Sequence, residues 1–154
     1  MNVHLESVTS SNFDQIIELK SGIEQEQRMQ IYERWVGSNA FFLAVCQVYK
    51  FTPRAIYDSE TLIGFACHGY NSETERFQLI SVMLGHQFQG KGYATASLKL
   101  IIDDMNLQYK CKEIYLTVIH DNMNAIKAYE KIGFIPTGEI EKAFHDEHVY
   151  KLIL

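Results

Sequence analysis

Ile80-Ser81-Val82-Met83-Leu84-Gly85-His86-Gln87-Phe88-Gln89-Gly90-Lys91-Gly92-Tyr93-Ala94-Thr95 reads as a buried strand, a glycine-rich turn and the start of a helix. Such a join gathers unpaired main-chain N–H groups at one point beyond the strand, where the helix dipole also favours negative charge. Phosphate binds there without a basic pocket. Two glycines so close together carry an entropic cost, and close approach of a ligand to the backbone is a common reason to find them. A helix start with two glycines and no ligand is the duller alternative, and this stretch alone leaves it open.

Two other phosphate loops do not fit. A P-loop of the form GxxxxGK[ST] finds Gly85, Gly90 and Lys91, but Gly92 stands where a hydroxyl must meet magnesium. A dinucleotide fingerprint GxGxxG finds Gly90 and Gly92 but has Thr95 at the third glycine, and it lies far from the start of the chain.

Towards the amino terminus, Val3–Val8 alternates like a half-buried strand. Thr9-Ser10-Ser11-Asn12 offers caps for a helix over Phe13–Lys20, with Phe13, Ile16, Ile17 and Leu19 mostly on one face. Gly22 breaks it. A second helix is expected over Glu24–Val36, carrying Met29, Ile31, Tyr32, Trp35 and Val36, with Gly37 as its end. Ser38-Asn39 caps an apolar third helix, Ala40–Tyr49, and Pro53 stops it. Arg54–Tyr57 and Thr61–Tyr70 make a hairpin about Asp58-Ser59-Glu60, and the loop Asn71–Glu75 leads to the central strand Phe77–Leu84.

Towards the carboxyl terminus, a helix from about Lys91 to Leu107 buries Ala94, Leu98, Ile101, Ile102 and Met105 at helical spacing. A strand (Lys112–Ile119), a helix (Asn122–Ile132, ended by Gly133) and two closing strands (Phe134–Gly138 and His148–Leu154) complete the chain, the last two joined by the polar stretch Glu139–Glu147. The expected fold is one mixed α/β (α+β) domain over residues 1–154, with roughly seven mostly antiparallel strands flanked by about five helices.

Composition narrows the function. The 154 residues are 47% hydrophobic and 21% charged, with a net charge of −5. One globular domain with a real core is expected, and a general nucleic-acid binder is not. Cys46, Cys67 and Cys111 are odd in number and widely spaced, so neither structural zinc nor a disulfide framework is indicated, and reduced thiols in a cytoplasm fit. His145 and His148 are three apart without further ligands, so no metal site is expected. No apolar run reaches the ~18–20 residues that span a bilayer, and MNVHLESVTSSN has no signal-peptide pattern.

Gln89-Gly90-Lys91-Gly92-Tyr93-Ala94 after a strand resembles motif A of the GNAT superfamily of N-acetyltransferases, Q/R-x-x-G-x-G/A, filled by Gln89, Gly92 and Ala94. An overlapping frame (Gln87, Gly90, Gly92) also fits. The first is preferred, because the helix starting near Lys91 then begins as the family's does. The resemblance implies that the main chain of Gln89, Gly90, Lys91, Gly92, Tyr93, Ala94 and Thr95 holds the pyrophosphate of acetyl-CoA. It also implies that Val82, Met83 and Leu84 run alongside the pantetheine arm like an added strand, one N–H polarising the thioester carbonyl.

Asn122-Met123-Asn124-Ala125-Ile126-Lys127-Ala128-Tyr129-Glu130-Lys131-Ile132-Gly133-Phe134 resembles the family's motif B, N-x-x-A-x-x-x-Y-x-x-x-G-F, at every specified position. Asn122 can cap the helix, Ala125 leaves room for a close neighbour, Tyr129 lies one turn on along the same face, and Gly133 permits a left-handed cap. On spacing alone Tyr129 reads as a core tyrosine. The resemblance makes it the general acid for the leaving thiolate, with Asn122 on the pantetheine side. Lys131 is either a ligand for a CoA phosphate or a solvated lysine.

Ser38–Ala44, Pro53–Asp58, Leu62–Ala66 and Asp146-Glu147 extend the resemblance to a branch that includes bacterial spermine/spermidine acetyltransferases. It implies a small-molecule amine acceptor, a polyamine first, attacking directly in a ternary complex, and it admits a homodimer. That branch tends to carry an acidic–basic pair on the central strand, in a pattern like L-D-R-F. Leu79-Ile80-Ser81-Val82 lacks it, so Glu24, Glu26, Glu33, Glu73, Glu75 and Glu147 are the remaining carboxylates for the amine. Other acceptors (an amino-sugar antibiotic, an amino acid, a protein N-terminus) and a non-catalytic acyl-CoA sensor are the alternatives.

Overall fold

The computed structural model describes residues 1–28, 37–142 and 145–154. Its strands are β1 (Val3–Ser7), β2 (Thr52–Asp58), β3 (Thr61–Asn71), β4 (Arg76–Leu84), β5 (Glu113–Ile119), β6 (Ile135–Lys142) and β7 (Asp146–Ile153). The helices among the described residues are α1 (Phe13–Glu18), α2 (Ile23–Arg28), α3 (Asn39–Tyr49), α4 (Tyr93–Tyr109) and α5 (Met123–Ile132), with a single 3-10 turn at His86–Phe88. The strands form one sheet in the order β1-β2-β3-β4-β5-β7-β6. Each neighbouring pair is antiparallel except β4 and β5, which run parallel.

The two faces of the sheet are covered differently. On one, α4 lays Leu98, Ile101, Ile102 and Met105 over Ile56, Ile63, Leu79, Leu84, Leu116 and Val118, and Ile126 of α5 joins them. Each such fully buried side chain contributes about 1.5–3 kcal/mol. On the other, Ile16 of α1 and Cys46 of α3 pack over Ala55, Phe65 and Cys67. That second cover lies over β2, β3 and part of β4, drawing Ile80 and Met83 in from β4.

Local signals explain most helix ends. The Ser38 hydroxyl accepts from the Phe41 N–H at 3.1 Å and starts α3, a cap that contributes about 1 kcal/mol. Lys50 in the left-handed region (φ 62°) ends it. The Asn122 carboxamide accepts from the Ala125 N–H at 3.4 Å, and Gly133 at φ 115° closes α5. Asn12 precedes α1 but turns its side chain backwards, accepting from the Thr9 N–H (2.8 Å) and donating to the Ser7 carbonyl (3.1 Å).

Several expectations need correction. Pro53 does not stop α3, which ends before it; it lies near the start of β2, beyond the end of β1 at Ser7 opposite Arg54, a position that tolerates its missing N–H. Phe13 is 39% exposed and does not share the buried face of Ile16. The stretch Glu139–Glu147 is not simply a connection: β6 runs through a bulge at Gly138 (φ 87°) to Lys142, and β7 begins at Asp146. Being an edge strand that is mostly solvent-exposed, β6 shows no apolar alternation to read. Of the helix expected over Glu24–Val36, the part after Arg28, with Met29, Ile31, Tyr32, Trp35, Val36 and Glu33, lies outside the described residues.

Candidate functional site

The sheet opens where the glycine turn begins. The register of β4 with β5 is limited to Gln78 opposite Tyr115, although β4 continues to Leu84 and β5 to Ile119. A bulge accompanies the parting: Leu79 faces His68 and Ser81 faces Cys67, so Ile80 is the extra residue. A bulge bends its strand and re-aims the side chains and peptide groups beyond it. Past Ile80, the Gly85 N–H donates to the Ile63 carbonyl at 2.9 Å, and Met83 stands opposite Phe65. Alternation along an antiparallel ladder then points the main-chain groups of Ser81 and Met83 towards β3, and those of Val82 and Leu84 towards the open edge. An extended chain can pair with that edge.

The turn after β4 has the shape expected of an anion cradle. Gly90 and Gly92 hold φ of 72° and 86°, a region costly for other residues. A methyl group on Gly90 would meet nothing within 4 Å, and one on Gly92 only the Met1 side chain at 3.8 Å. The glycines therefore answer to backbone shape and to open space, not to neighbouring protein atoms. Gly92 is the N-cap of the 17-residue α4 and makes no side-chain cap, so the first N–H groups of that helix have their positive end at the turn. These residues fit a pyrophosphate.

Side chains of the turn have other uses. The Gln89 carboxamide nitrogen donates to the Leu84 carbonyl and to the Gln25 Oε1, both at 3.0 Å. The Tyr93 hydroxyl donates to Asp58 at 2.6 Å, which holds the Asp58 carboxyl below its ordinary range and the Tyr93 phenol above its own. Tyr93 can thus offer a ligand its main chain while its side chain fixes the turn to the sheet; the Gln89 N–H, expected from sequence to join the cradle, is instead spent on the His86 carbonyl at 3.2 Å. Ala94 and Thr95 occupy the first turn of α4, and Lys91 is exposed.

Tyr129 lies on α5, which comes after β5 and on the same face as α4. Its half-buried ring meets Phe134 edge-on at 5.9 Å. Burial, reinforced by the negative Glu147, pushes the phenol up to about 12. It is therefore a neutral hydrogen-bond donor at every physiological pH. Asn122 spends its side-chain oxygen on the helix cap. Lys131 sits in the last turn of α5, on a cleft of about 440 Å³ shared with Lys99, Ile102 and Asp103.

The opposite face of β5, β7 and β6 carries acids. Glu147 pairs with Ile119 on β5 and with Glu141 on β6, and accepts a short hydrogen bond from the Thr117 hydroxyl. Like charges directly across a ladder are unfavourable. Glu139 is held by a bidentate Arg76 (2.8 and 2.9 Å) and Glu113 by Lys151 (3.7 Å). Among the described residues no cation pairs with Glu141 or Glu147. Of the described carboxylates considered from sequence, Glu147 is the one whose charge reaches Tyr129. Sequence reasoning misses Glu141: it lies in an exposed polar stretch, and its place opposite Glu147 follows only from the β6–β7 pairing.

Residues 13–134 match the acetyltransferase (GNAT) family. The chain belongs to the GNAT acetyltransferase family. A spermine/spermidine N(1)-acetyltransferase of Bacillus subtilis (strain 168) is 31% identical to this acetyltransferase over 155 residues, covering 97% of each chain. A spermidine N(1)-acetyltransferase of Escherichia coli (strain K12) is 33% identical over 70 residues, 46% of this chain and 38% of the relative. The fold is shared with the Vibrio cholerae spermidine N-acetyltransferase in complex with CoA and spermine (TM-score 0.75, 18% identity, 99% and 95% of the two chains). It is shared too with the aminoglycoside acetyltransferase AAC(6')-Ib in complex with ribostamycin and coenzyme A (TM-score 0.81, 16% identity, 99% and 94%). No helix among the described residues of the acetyltransferase is long and apolar enough to cross a membrane.

Proposed function

We propose that this acetyltransferase moves the acetyl group of acetyl-CoA to a primary amine of a small molecule, a polyamine first among them. The observation that carries the reading is the parting of β4 from β5 with the glycine turn at its mouth, Tyr129 on one side and Glu147 on the other. Acetyl-CoA supplies an activated thioester when bound. The main chain of Gly90 to Thr95 would take its pyrophosphate, and the open edge of Val82 together with the Leu84 N–H its pantetheine arm and thioester oxygen. Asn122 and Lys131 complete the proposed contacts.

Elementary acid–base chemistry assigns the remaining roles. An alkyl ammonium ionises near ~10.4 and cannot attack until it loses a proton. Glu147 is suited to hold the ammonium and pass that proton to solvent, with Glu141 adding charge for a second cationic nitrogen. The neutral amine then attacks the acetyl carbon, the carbon–sulfur bond breaks, and the second nitrogen proton balances the departing sulfur. Tyr129 donates its hydrogen bond to that sulfur. With a free thiol at ~8.5, full proton transfer from a phenol at about 12 would be uphill by about 5 kcal/mol. Burial raises a thiol set beside it as well, which narrows the gap, so Tyr129 acts mainly by hydrogen bonding in the transition state.

A polyamine is favoured by the near full-length likeness to a spermine/spermidine acetyltransferase and by two facing carboxylates, Glu141 and Glu147, neither of which forms an ion pair among the described residues. The buried free thiols Cys46, Cys67 and Cys111 suit a cytoplasm, where we place the enzyme, as a homodimer that binds neither nucleic acid nor membrane. The test is CoA release from acetyl-CoA with spermine, spermidine, an aminoglycoside and an amino acid as acceptors. Turnover highest with the polyamines supports the reading. Binding of acetyl-CoA with no release for any amine would leave a sensor and refute it.

A further inference from the structure

The glutamine of the glycine-turn motif points away from the turn. Gln89 Nε2 divides its two hydrogens between the Leu84 carbonyl and Gln25 Oε1, at 3.0 Å each. Gln25 Oε1 also accepts from the Gly22 N–H at 2.9 Å, and the Lys20 carbonyl accepts from the His86 N–H at 2.8 Å. The segment leading into α2, and α2 itself, are thus tied to the end of β4 and to the turn after it. At its other end α2 places Arg28 3.8 Å from Asp121, immediately before Asn122 at the start of α5. The helix spans the parted strands, with one end on the turn after β4 and the other on the turn after β5.

We propose that the Gln25–Gln89 amide pair is a positioning contact that couples the amine site to the acetyl-CoA site. This rests on the acetyltransferase reading above. Leu84 is the last residue of β4 before the cradle, and its main chain faces the open edge. An amide that grips its carbonyl senses the orientation of that peptide, which a bound pantetheine arm would fix. The same amide hands the constraint to Gln25 and so to α2, whose far end meets Asp121 through Arg28, two residues past Ile119, the ladder partner of Glu147. Neither glutamine touches reacting atoms; the pair acts through Leu84 and α2. A chain of two hydrogen bonds along one donor nitrogen transmits an energy of the order of one hydrogen bond, which corresponds to about two- to tenfold in an equilibrium constant.

The experiment measures the Kd of CoA by calorimetry with and without saturating spermine, a pair that cannot react. Wild type is expected to bind CoA about two- to tenfold tighter with spermine present. Gln25→Ala, which leaves the Gln89–Leu84 bond in place, is expected to bind CoA alone like wild type while the ratio falls to one and KM for the amine rises. Gln25→Glu keeps an acceptor oxygen for both donors and is expected to restore the ratio, which a merely structural loss of α2 would not predict. A ratio of one in the wild type, or a full ratio in Gln25→Ala, would overturn the inference alone. Failure of the wild type to bind CoA at all would overturn the acetyltransferase reading and the inference with it.

Discussion

Gly92 and Gly138 share nearly the same backbone angle, φ 86° and 87°, and this makes them a matched pair. Replacing either by alanine forces a methyl into the left-handed region at a cost of about 1–2 kcal/mol, a Tm loss of about 2–8 °C for a chain of this length. Neither methyl meets a steric obstacle: nothing lies within 4 Å at Gly138, and only Met1 at 3.8 Å for Gly92. The two variants should therefore melt alike. They should differ in binding, because Gly92 caps α4 at the proposed pyrophosphate cradle and Gly138 sits in the β6 bulge. Displacing a phosphate from one charge-assisted hydrogen bond costs about 1.5–3 kcal/mol, so Gly92→Ala should weaken CoA binding by about tenfold to 10²-fold. Calorimetric titration with CoA, beside thermal melts with and without it, separates the two effects. Gly92→Ala binding CoA as tightly as Gly138→Ala would refute the assignment of the turn.

The acids and a buried network carry further expectations. Glu147→Gln should lower kcat/KM for an alkyl amine by about 10²-fold or more, and far less for an acceptor already neutral at the assay pH; equal losses on both would remove Glu147 from the proton path. His68 is fully buried, with Asp104 accepting from its Nε2 (2.9 Å) and Tyr109 donating to its Nδ1 (2.9 Å). Burial, opposed by Asp104, holds the imidazole below its ordinary value. The unfolded chain then takes up a proton below about pH 6.5 that the native state refuses, so stability is full above that pH and falls below it by up to ~1.4 kcal/mol per pH unit. Urea midpoints from pH 8 to pH 5 check this, and an unchanged slope in His68→Gln would contradict it. Asp104→Asn should destabilise throughout the neutral range, because Arg54, bound to that carboxylate at 2.8 and 3.2 Å, would lose its counter-charge; urea midpoints at pH 7 check it.

Much of this is legible in the sequence, for identifiable reasons. The helical faces of α4 and the caps at Ser38, Asn122 and Gly133 are local signals, each written within a few residues, and the glycine turn and Tyr129 motifs are local too. The bulge at Ile80 is not, because it exists only in the pairing of β4 with His68 and Cys67 of another strand. The true extent of β6 is hidden because an exposed edge strand needs no apolar alternation. Glu141 becomes visible only through its partner across the ladder. Gln89 is the clearest case of a residue noticed for one reason and used for another: its place in the motif is plain, while its side-chain partners, Leu84 and Gln25, depend on how the chain folds back.

The central claim is that Tyr129 completes an acetyl-transfer site. It is tested most directly by Tyr129→Phe, with CoA binding and CoA release from acetyl-CoA plus spermine measured on the same preparation. CoA affinity within about twofold of wild type and a kcat lower by about 10²-fold or more are expected. A variant that releases CoA at the wild-type rate would contradict it.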